Sequence, residues 1–399
     1  MKPSIKKSAF KHLTEKLQFE SPLAWSQLSH QKTRLLVAMG GIAFANILIF
    51  MQLGFRQLFT SGATALADNI KGDLFLVHPD SRFLGSIEFD RLRLYQAAGI
   101  KGVIDTVPIF LNTSTAWSYE NTYKSYEARV IAFNPKKEVF KIPEVNQQLD
   151  KIKLPNSFLF DRLSRSELGP IAEKIEAKGQ DTALINSYKT NVVGLFNLGN
   201  SFFLTAGNLI TSEVNYGEVF GSSMLNRVSL GIVFLTNGAN LQSVKAGIEK
   251  NVPGVKVYTH EELIAKELQF QEDNPAGLIF SFGAMMGFIV GVVIVYQVLY
   301  ADVSDHLAEY ATLKAMGYSD ISLLIVIFQE ATILAVLGFV PGFLASVGMY
   351  QFLAGLTRLR LAMTPEVALA VFVLTLIMCL ISAAVTSSKL RSADPADVF

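Results

Sequence analysis

The sequence predicts an α-helical membrane protein: four transmembrane helices, with a large α+β domain outside the membrane between helices 1 and 2. Uncharged stretches carry most of that prediction. Residues 35–55 hold 21 positions without a charge between Arg34 and Arg56, 274–301 hold 28 between Asp273 and Asp302, and 367–388 hold 22 between Glu366 and Lys389. Residues 321–357 are apolar except for Glu330. A hydrocarbon core about 30 Å thick takes about 20 helical residues to cross, so each stretch suffices. The second observation is their placement, which leaves 56–273 as a mostly polar segment long enough to bury a core of its own.

Charge sets the expected orientation. The chain is 50% hydrophobic and only 17% charged, below the roughly 25% of soluble domains, and its net charge of +1 gives no field for nucleic acid. Residues 1–34 carry seven Lys or Arg (Lys2, Lys6, Lys7, Lys11, Lys16, Lys32, Arg34) against Glu15 and Glu20. Positive charge beside the first span holds that end in the cytoplasm and puts 56–273 outside, and four crossings return the C-terminus, where Lys389 and Arg391 follow the last span. The first apolar run begins at Leu35 and is too long for the core of a cleaved signal peptide, so it reads as address and anchor together. Cys379 is the sole cysteine and lies inside the last span, so the outer domain is expected to hold together without disulfides.

Taken in order, residues 1–34 read as a cytoplasmic segment whose 22–34 stretch is an amphipathic interfacial helix with Leu23, Trp25 and Leu28 on its apolar side, or an ordinary linker. Span 1 covers 35–55 and continues outward through Leu58, Leu66 and Ile70 until Gly72. The outer domain, 56–273, contains two β-α-β units, at about 72–110 and 228–260. The first is strand 73–78, helix 88–98 capped by Gly99, and strand 100–110. The second is strand 228–235, helix 240–250 with Asn240 as cap, and strand 255–259 after the Pro253–Gly254 turn. They flank an insertion, 111–227, with strand-like runs at 128–133 and 191–198 and a helix near 171–178. Its topology stays open. Span 2 covers 274–301, span 3 covers 321–345 and span 4 covers 367–388, ahead of a cytoplasmic tail, 389–399.

Catalytic signatures are missing from the sequence. There is no G-x-x-x-x-G-K-[S/T] run, no H-E-x-x-H, no cysteine pair and no G-x-S-x-G, and the five histidines are dispersed. The chain therefore reads as non-catalytic, without cofactor or metal of its own. The informative polar segment is 302–320, DVSDHLAEYATLKAMGYSD. Leu307, Ala311 and Ala315 recur at helical spacing, Gly317 stands where a C-cap would, and Asp320 could cap the next helix. A short helix joining two spans is a lever for a soluble partner, or a solvated connector without one.

The run AEYATLKAMGYSD, followed by Gln329–Glu330–Ala331, resembles the FtsX/MacB-type ABC transporter permease family, whose members carry E-x-x-x-L-[K/R]-A-[I/M]-G here. Glu309, Leu313, Lys314, Ala315, Met316 and Gly317 match that form. The tail LRSADPADVF resembles the family's terminal signature through Ala393, Asp394, Pro395 and Val398. The stretches LAWSQLSHQKTRLLVAMGGIAFANILIFMQLGF and YADVSDHLAEYATLKAMGYSD are most similar to the DevC subgroup of cyanobacterial DevBCA-type exporters. This resemblance implies a MacB-like homodimer in a bacterial inner membrane, each subunit resting through a coupling helix (Asp305, Glu309, Leu313, Lys314, Ala315, Met316, Gly317) on a separate ABC ATPase that binds the ATP. MacB carries its ATPase at the N-terminus of the same chain; the short 1–34 segment here implies a separate polypeptide. ATP-driven motion would reach the periplasmic domain and drive export of an amphiphile, a glycolipid in the DevC subgroup, with a periplasmic membrane-fusion adaptor and a TolC-like outer-membrane channel as partners. Alternatives are a LolC-like lipoprotein-extracting subunit, an FtsX-type signalling subunit, whose outer domain is much smaller, and a membrane sensor with no ATPase.

Inside the spans, Glu330 reads as a tie to the coupling helix, as a carboxylate reaching headgroups, or as part of a proton path lacking visible partners. Gly283, Gly287 and Gly291 recur every four residues and read as a packing stripe against span 1 of the same or a second copy. Gly338, Pro341 and Gly342 suggest a kink or break in span 3.

Overall fold

The computed structural model describes residues 32–119, 124–199, 205–273, 275–357 and 361–391. The amphipathic stretch, apart from its last residues, and the tail signature from Ala393 onward lie outside the described residues. Contacts divide the chain into a unit of Arg56–Leu278 with Leu353–Leu361, and a unit holding the remainder of the helices.

The first unit is the α+β domain. Helix α1 (Lys32–Asp68) contributes its last turns; strand β1 (Leu74–Val77), the two-residue β2 (Phe89–Asp90), helix α2 (Leu92–Ala98) and strand β3 (Val103–Ser118) follow. Within the insertion come β4 (Tyr126–Phe133), β5 (Ser157–Asp161), α3 (Ile171–Lys178), β6 (Asp181–Ile185), β7 (Tyr188–Phe196), β8 (Gly207–Ser212) and α4 (Glu213–Phe220). The unit closes with β9 (Arg227–Val228), β10 (Leu230–Leu235), α5 (Leu241–Asn251), β11 (Lys256–Tyr258) and α6 (His260–Glu272).

Two β-α-β units are present, but they interleave. The strand order is β11-β1-β10-β3 with every neighbouring pair antiparallel, so each crossover skips one strand and the other unit fills the gap, a split β-α-β arrangement. Strand period then sorts the core onto two faces. Leu74 and Leu76 face Leu94 and Ala97 of α2 and Val244 and Ile248 of α5. Phe75 and Val77 face Ala65 and Leu66 in the last turn of α1, Ile70 just after it, and Leu263 of α6. Helix α2 starts at Leu92, not at Glu88, because Phe89–Asp90 pairs with Arg227–Val228 and the Asp90 carboxylate accepts the Leu92 N–H at 2.8 Å. The caps follow the sequence: Asn240 accepts from Ser243 N, and Thr259 with Glu262 forms a capping box on α6.

The insertion is a closed sheet. β3 runs on to Ser118, beyond the expected end at 110, because its second half pairs with β4. From there β4 pairs with β8 in parallel, β8 with β5 antiparallel, β5 with β7 in parallel and β7 with β6 antiparallel; β6 returns to β3 at Trp117 opposite Ile185. Closure leaves this ring without an edge strand. Its interior holds a polar hub: Asp161 accepts from Leu163 N, Leu198 N, Gly199 N and Asn208 Nδ2, and Asn208 in turn accepts from Arg129 Nε at 2.8 Å. Burial pushes the Asp161 carboxyl up, opposed by these bonds, and pulls the Arg129 guanidinium down to about 10.

The helical unit contains the body of α1, α7 (Pro275–Asp305), α8 (Leu307–Ala315), α9 (Asp320–Thr357) and α10 (Pro365–Arg391). Among the described residues, four helices are long and apolar enough to cross a membrane: Lys32–Leu58, Gly277–Asp305, Ile321–Gly355 and Pro365–Ser388. Several boundaries need correction. The second span runs on through Asp302–Asp305, which belong to α7 and not to the connector, and the third extends well past residue 345 because nothing in SVGMYQFLAGLT breaks a helix. No break occurs at Pro341, which sits inside the continuous α9. The neighbouring glycines serve close packing instead: a Cβ on Gly338 would fall 2.6 Å from the Ile42 side chain, and one on Gly342 3.1 Å from the Ala43 backbone. Gly283, Gly287 and Gly291 of α7 face Gln52, Ile49 and Ala45 of the same chain's α1, Gly291 also meeting Met378. Cross-helix polar bonds join this packing, with Thr375 Oγ1 donating to Asn46 Oδ1 at 2.7 Å and Ser382 Oγ to the Val292 carbonyl at 2.8 Å.

Two measurements check these assignments. Gly287→Leu, whose Cβ meets Ile49 and Leu48 at 3.2–3.3 Å, should destabilise the detergent-solubilised protein by about 1–3 kcal/mol in thermal unfolding, whereas Gly348→Leu, with open space around it, should not; equal effects would reject the α1–α7 packing. Glu267 in α6 accepts the Leu84 N–H at 2.9 Å, and burial pushes its carboxyl up to about 7, opposed by Lys266. The folded state therefore holds this proton more tightly than the unfolded chain, and the contribution present below about pH 4.5 is lost as pH rises through about 7, by up to about 3 kcal/mol. Glu267→Gln keeps the acceptor and should gain stability over wild type between pH 5 and 8; parallel pH profiles would refute this.

Candidate functional site

The connector between α7 and α9 is where the matched motif falls. α8 is nine residues long, and its C-terminus is a Schellman turn: Tyr318 N–H donates to the Leu313 carbonyl at 3.1 Å and Gly317 N–H to Lys314 at 2.9 Å. That turn places Gly317 at φ +94°, a conformation costly for any residue with a Cβ, and the space around it is open. The next helix is capped by Ser319, whose Oγ accepts from Ser322 N, one residue before the expected Asp320.

Faces of α8 divide cleanly. Tyr310 and Ala311 are buried, Leu307 and Leu313 half-buried, while Ala308, Glu309 and Thr312 are exposed. The sequence placed Leu307 and Ala311 on one face with Tyr310 beside them, and Ala311 and Tyr310 are the two that are fully buried. Just beyond, Met316, Tyr318 and Ile321 stand open at 65%, 52% and 69% exposure, a cluster of large apolar side chains around the Gly317 turn. His306 Nδ1 lies 3.2 Å from the Glu309 carboxylate and bridges the entry to α8.

Sequence reasoning did not find the anchor of this segment. Arg34 on α1 pairs with Asp302 at 3.4 Å and with Asp305, so the end of α7 is tied to the start of α1 immediately before α8 begins. Asp305, expected on the coupling helix, is part of this anchor. The signal was present in the sequence: Arg34 and Asp302 each end an uncharged stretch, so both sit at one level when the helices are antiparallel.

Glu330 is fully buried, and among the described residues neither carboxylate oxygen has a hydrogen-bond partner. The tie to the coupling helix expected from the sequence is thus not among the bonds of the described residues. Gly338 opposite Ile42 and Gly342 opposite Ala43 set α1 and α9 in step. No group of three or more His, Cys, Asp or Glu side chains among the described residues is placed to hold a metal.

Residues 281–395 match the family described as FtsX-like permease C-terminal. The match takes in most of α7 and all of α8, α9 and α10, under a third of the chain. Among solved structures, the extracellular domain of the ABC-type transporter YknZ from Gram-positive bacteria is similar at 14% identity, over 47% of this chain and 99% of that one, with a TM-score of 0.32. The periplasmic region of MacB from Actinobacillus actinomycetemcomitans is similar at 11% identity, over 51% of this chain and 94% of that one, with a TM-score of 0.33. Likeness at these scores is too slight to argue from. No curated protein matches the chain.

Removing the anchor gives a direct test of its geometry. Arg34→Gln leaves Asp302 buried without its cation and should cost about 2 kcal/mol in thermal unfolding, less than a fully enclosed pair because Arg34 is partly open. Adding Asp302→Asn should restore most of the loss. An additive double variant would show that the two do not interact.

Proposed function

We propose that this chain is the membrane-spanning, non-catalytic permease subunit of an ABC transporter, and that α8 receives movement from a separate ATPase. The observation that carries the reading is the match of residues 281–395 to the FtsX-like permease C-terminal family, with Glu309, Leu313, Lys314 and Ala315 on the short helix between two spans and Met316 and Gly317 in the turn that ends it. Supporting it, the exposed Met316, Tyr318 and Ile321 around the open Gly317 turn give a soluble partner an apolar foothold beside the Glu309 carboxylate. The Arg34 anchor stiffens the joint, so a push on α8 moves α7 and α1 together rather than bending the turn at His306.

In this reading α1 and α7 carry the motion to the α+β domain, which faces the periplasm while both termini stay in the cytoplasm. The assembly works as a homodimer in a bacterial inner membrane. An amphiphile, with a glycolipid as the leading class, is driven outward with the help of a membrane-fusion adaptor and a TolC-like channel. No ATP is bound by this chain; the ATPase holds it.

The test is ATP hydrolysis by the ATPase co-expressed with this chain. Lys314→Glu and Gly317→Val should each lower the stimulation given by wild type about five-fold or more, with expression and membrane insertion unchanged. Full stimulation in both variants would refute the assignment of α8.

A further inference from the structure

A cleft with a cavity volume of about 530 Å³ opens in the α+β domain between the loop after β1 and helix α6. Its lining includes Arg82, Tyr258, Lys266, Gln269, Phe270 and Asp273. Lys266 is the unusual member. Its Nζ is shielded from solvent and has no hydrogen-bond partner among the described residues, so three donors of a cation are left without acceptors. Burial pulls its ammonium below the usual range, and Lys256 adds to that, while Glu267 acts in the opposite direction. Glu267 itself already accepts from Leu84 N on the buried side of α6. Arg82 is exposed, and no ion pair engages its guanidinium among the described residues. Asp273 supplies one carboxylate at the rim, so two cations face one anion across the opening.

The remaining wall is aromatic. Phe270 packs on Phe83 with centroids 4.9 Å apart, and Tyr258 lies under Lys256 Nζ at 5.4 Å. Such a mixture of a shielded, unpartnered ammonium, an exposed guanidinium outside any ion pair and a ring surface suits a group that is anionic at one end and apolar at the other. Position in the chain agrees: Pro275 also lines the cleft, and the apolar span begins two residues later at Gly277. We propose that this cleft binds the anionic headgroup of a membrane amphiphile, its phosphate, sulfate or carboxylate held by Lys266 and Arg82 and its first apolar segment lying on Phe270 and Tyr258. The choice of an amphiphile over a small anion rests on the function proposed above; the cation pair and its ligand charge do not.

The experiment needs no ATPase, so its failure and that of the coupling assignment are separable. Full-length protein in maltoside micelles is titrated with dihexanoyl-phosphatidylglycerol, dihexanoyl-phosphatidylcholine and glycerol phosphate, and bound ligand is counted by native mass spectrometry. The phosphatidylglycerol should occupy one tight site, with the choline lipid and glycerol phosphate each at least about tenfold weaker. Arg82→Gln and Lys266→Met should each weaken that site by about tenfold or more while the weaker, non-specific adducts persist. Arg82 is a surface residue, so its variant keeps the test valid should Lys266→Met fold poorly. Glycerol phosphate binding as tightly as the lipid would overturn the amphiphile assignment in favour of a free-anion site. Equal affinity for the choline lipid, unchanged affinity in Arg82→Gln, or no tight site at all would overturn the headgroup site itself.

Discussion

Close approach to α1 is the constraint on which the helical unit depends. In lipid, apolar side chains gain little by leaving one apolar surroundings for another, so helices adhere through tight backbone contact and polar bonds. α1 receives a glycine row on two sides: Gly283, Gly287 and Gly291 from α7, and Gly338 and Gly342 from α9. Asn46 with Thr375 adds a bond from α10. Every other helix of the unit therefore takes its register from α1. Arg34 at the start of that helix fixes Asp302 and Asp305, and through them the origin of α8.

The α+β domain obeys a different rule, that of a sheet buried on both faces. Interleaving places its first and last strands side by side, Phe75 opposite Tyr258, so the chain enters and leaves the domain through adjacent ladders. The insertion hangs from the extended second half of β3 and closes on itself, which removes its edges and leaves the entry and exit strands free of it. Inside the closed ring Asp161 accepts from Asn208 Nδ2 and Asn208 from Arg129 Nε, while Arg129 Nη2 is left without a hydrogen-bond partner among the described residues.

Polar groups left without partners mark where the fold is not the whole explanation. Glu330 is fully buried with neither carboxylate oxygen bonded among the described residues, and Lys266 holds an ammonium shielded from solvent at a cleft. Burial of either without a partner costs several kcal/mol in principle. Both belong to segments that the function proposed here assigns to movement or cargo.

The sequence by itself determined what one-dimensional pattern can encode. Charge-free length named four spans, strand and helix periods named the two β-α-β units, and Asn240 marked the helix start of the second, because hydrophobic spacing and capping are local. It also located α8, since Gly317 announces a left-handed turn. Only the tertiary structure decided which strands are neighbours, because a β-α-β signal is the same whether or not a foreign strand slips between its members. Likewise, Gly338, Pro341 and Gly342 read as a break until Ile42 and Ala43 were seen to fill the space against them. Arg34 lies 268 residues from Asp302 and 271 from Asp305 in the chain, and no local rule joins them. The cleft at Lys266 escaped the sequence for the same reason: an unpaired cation is defined by what surrounds it, and only packing supplies the surroundings.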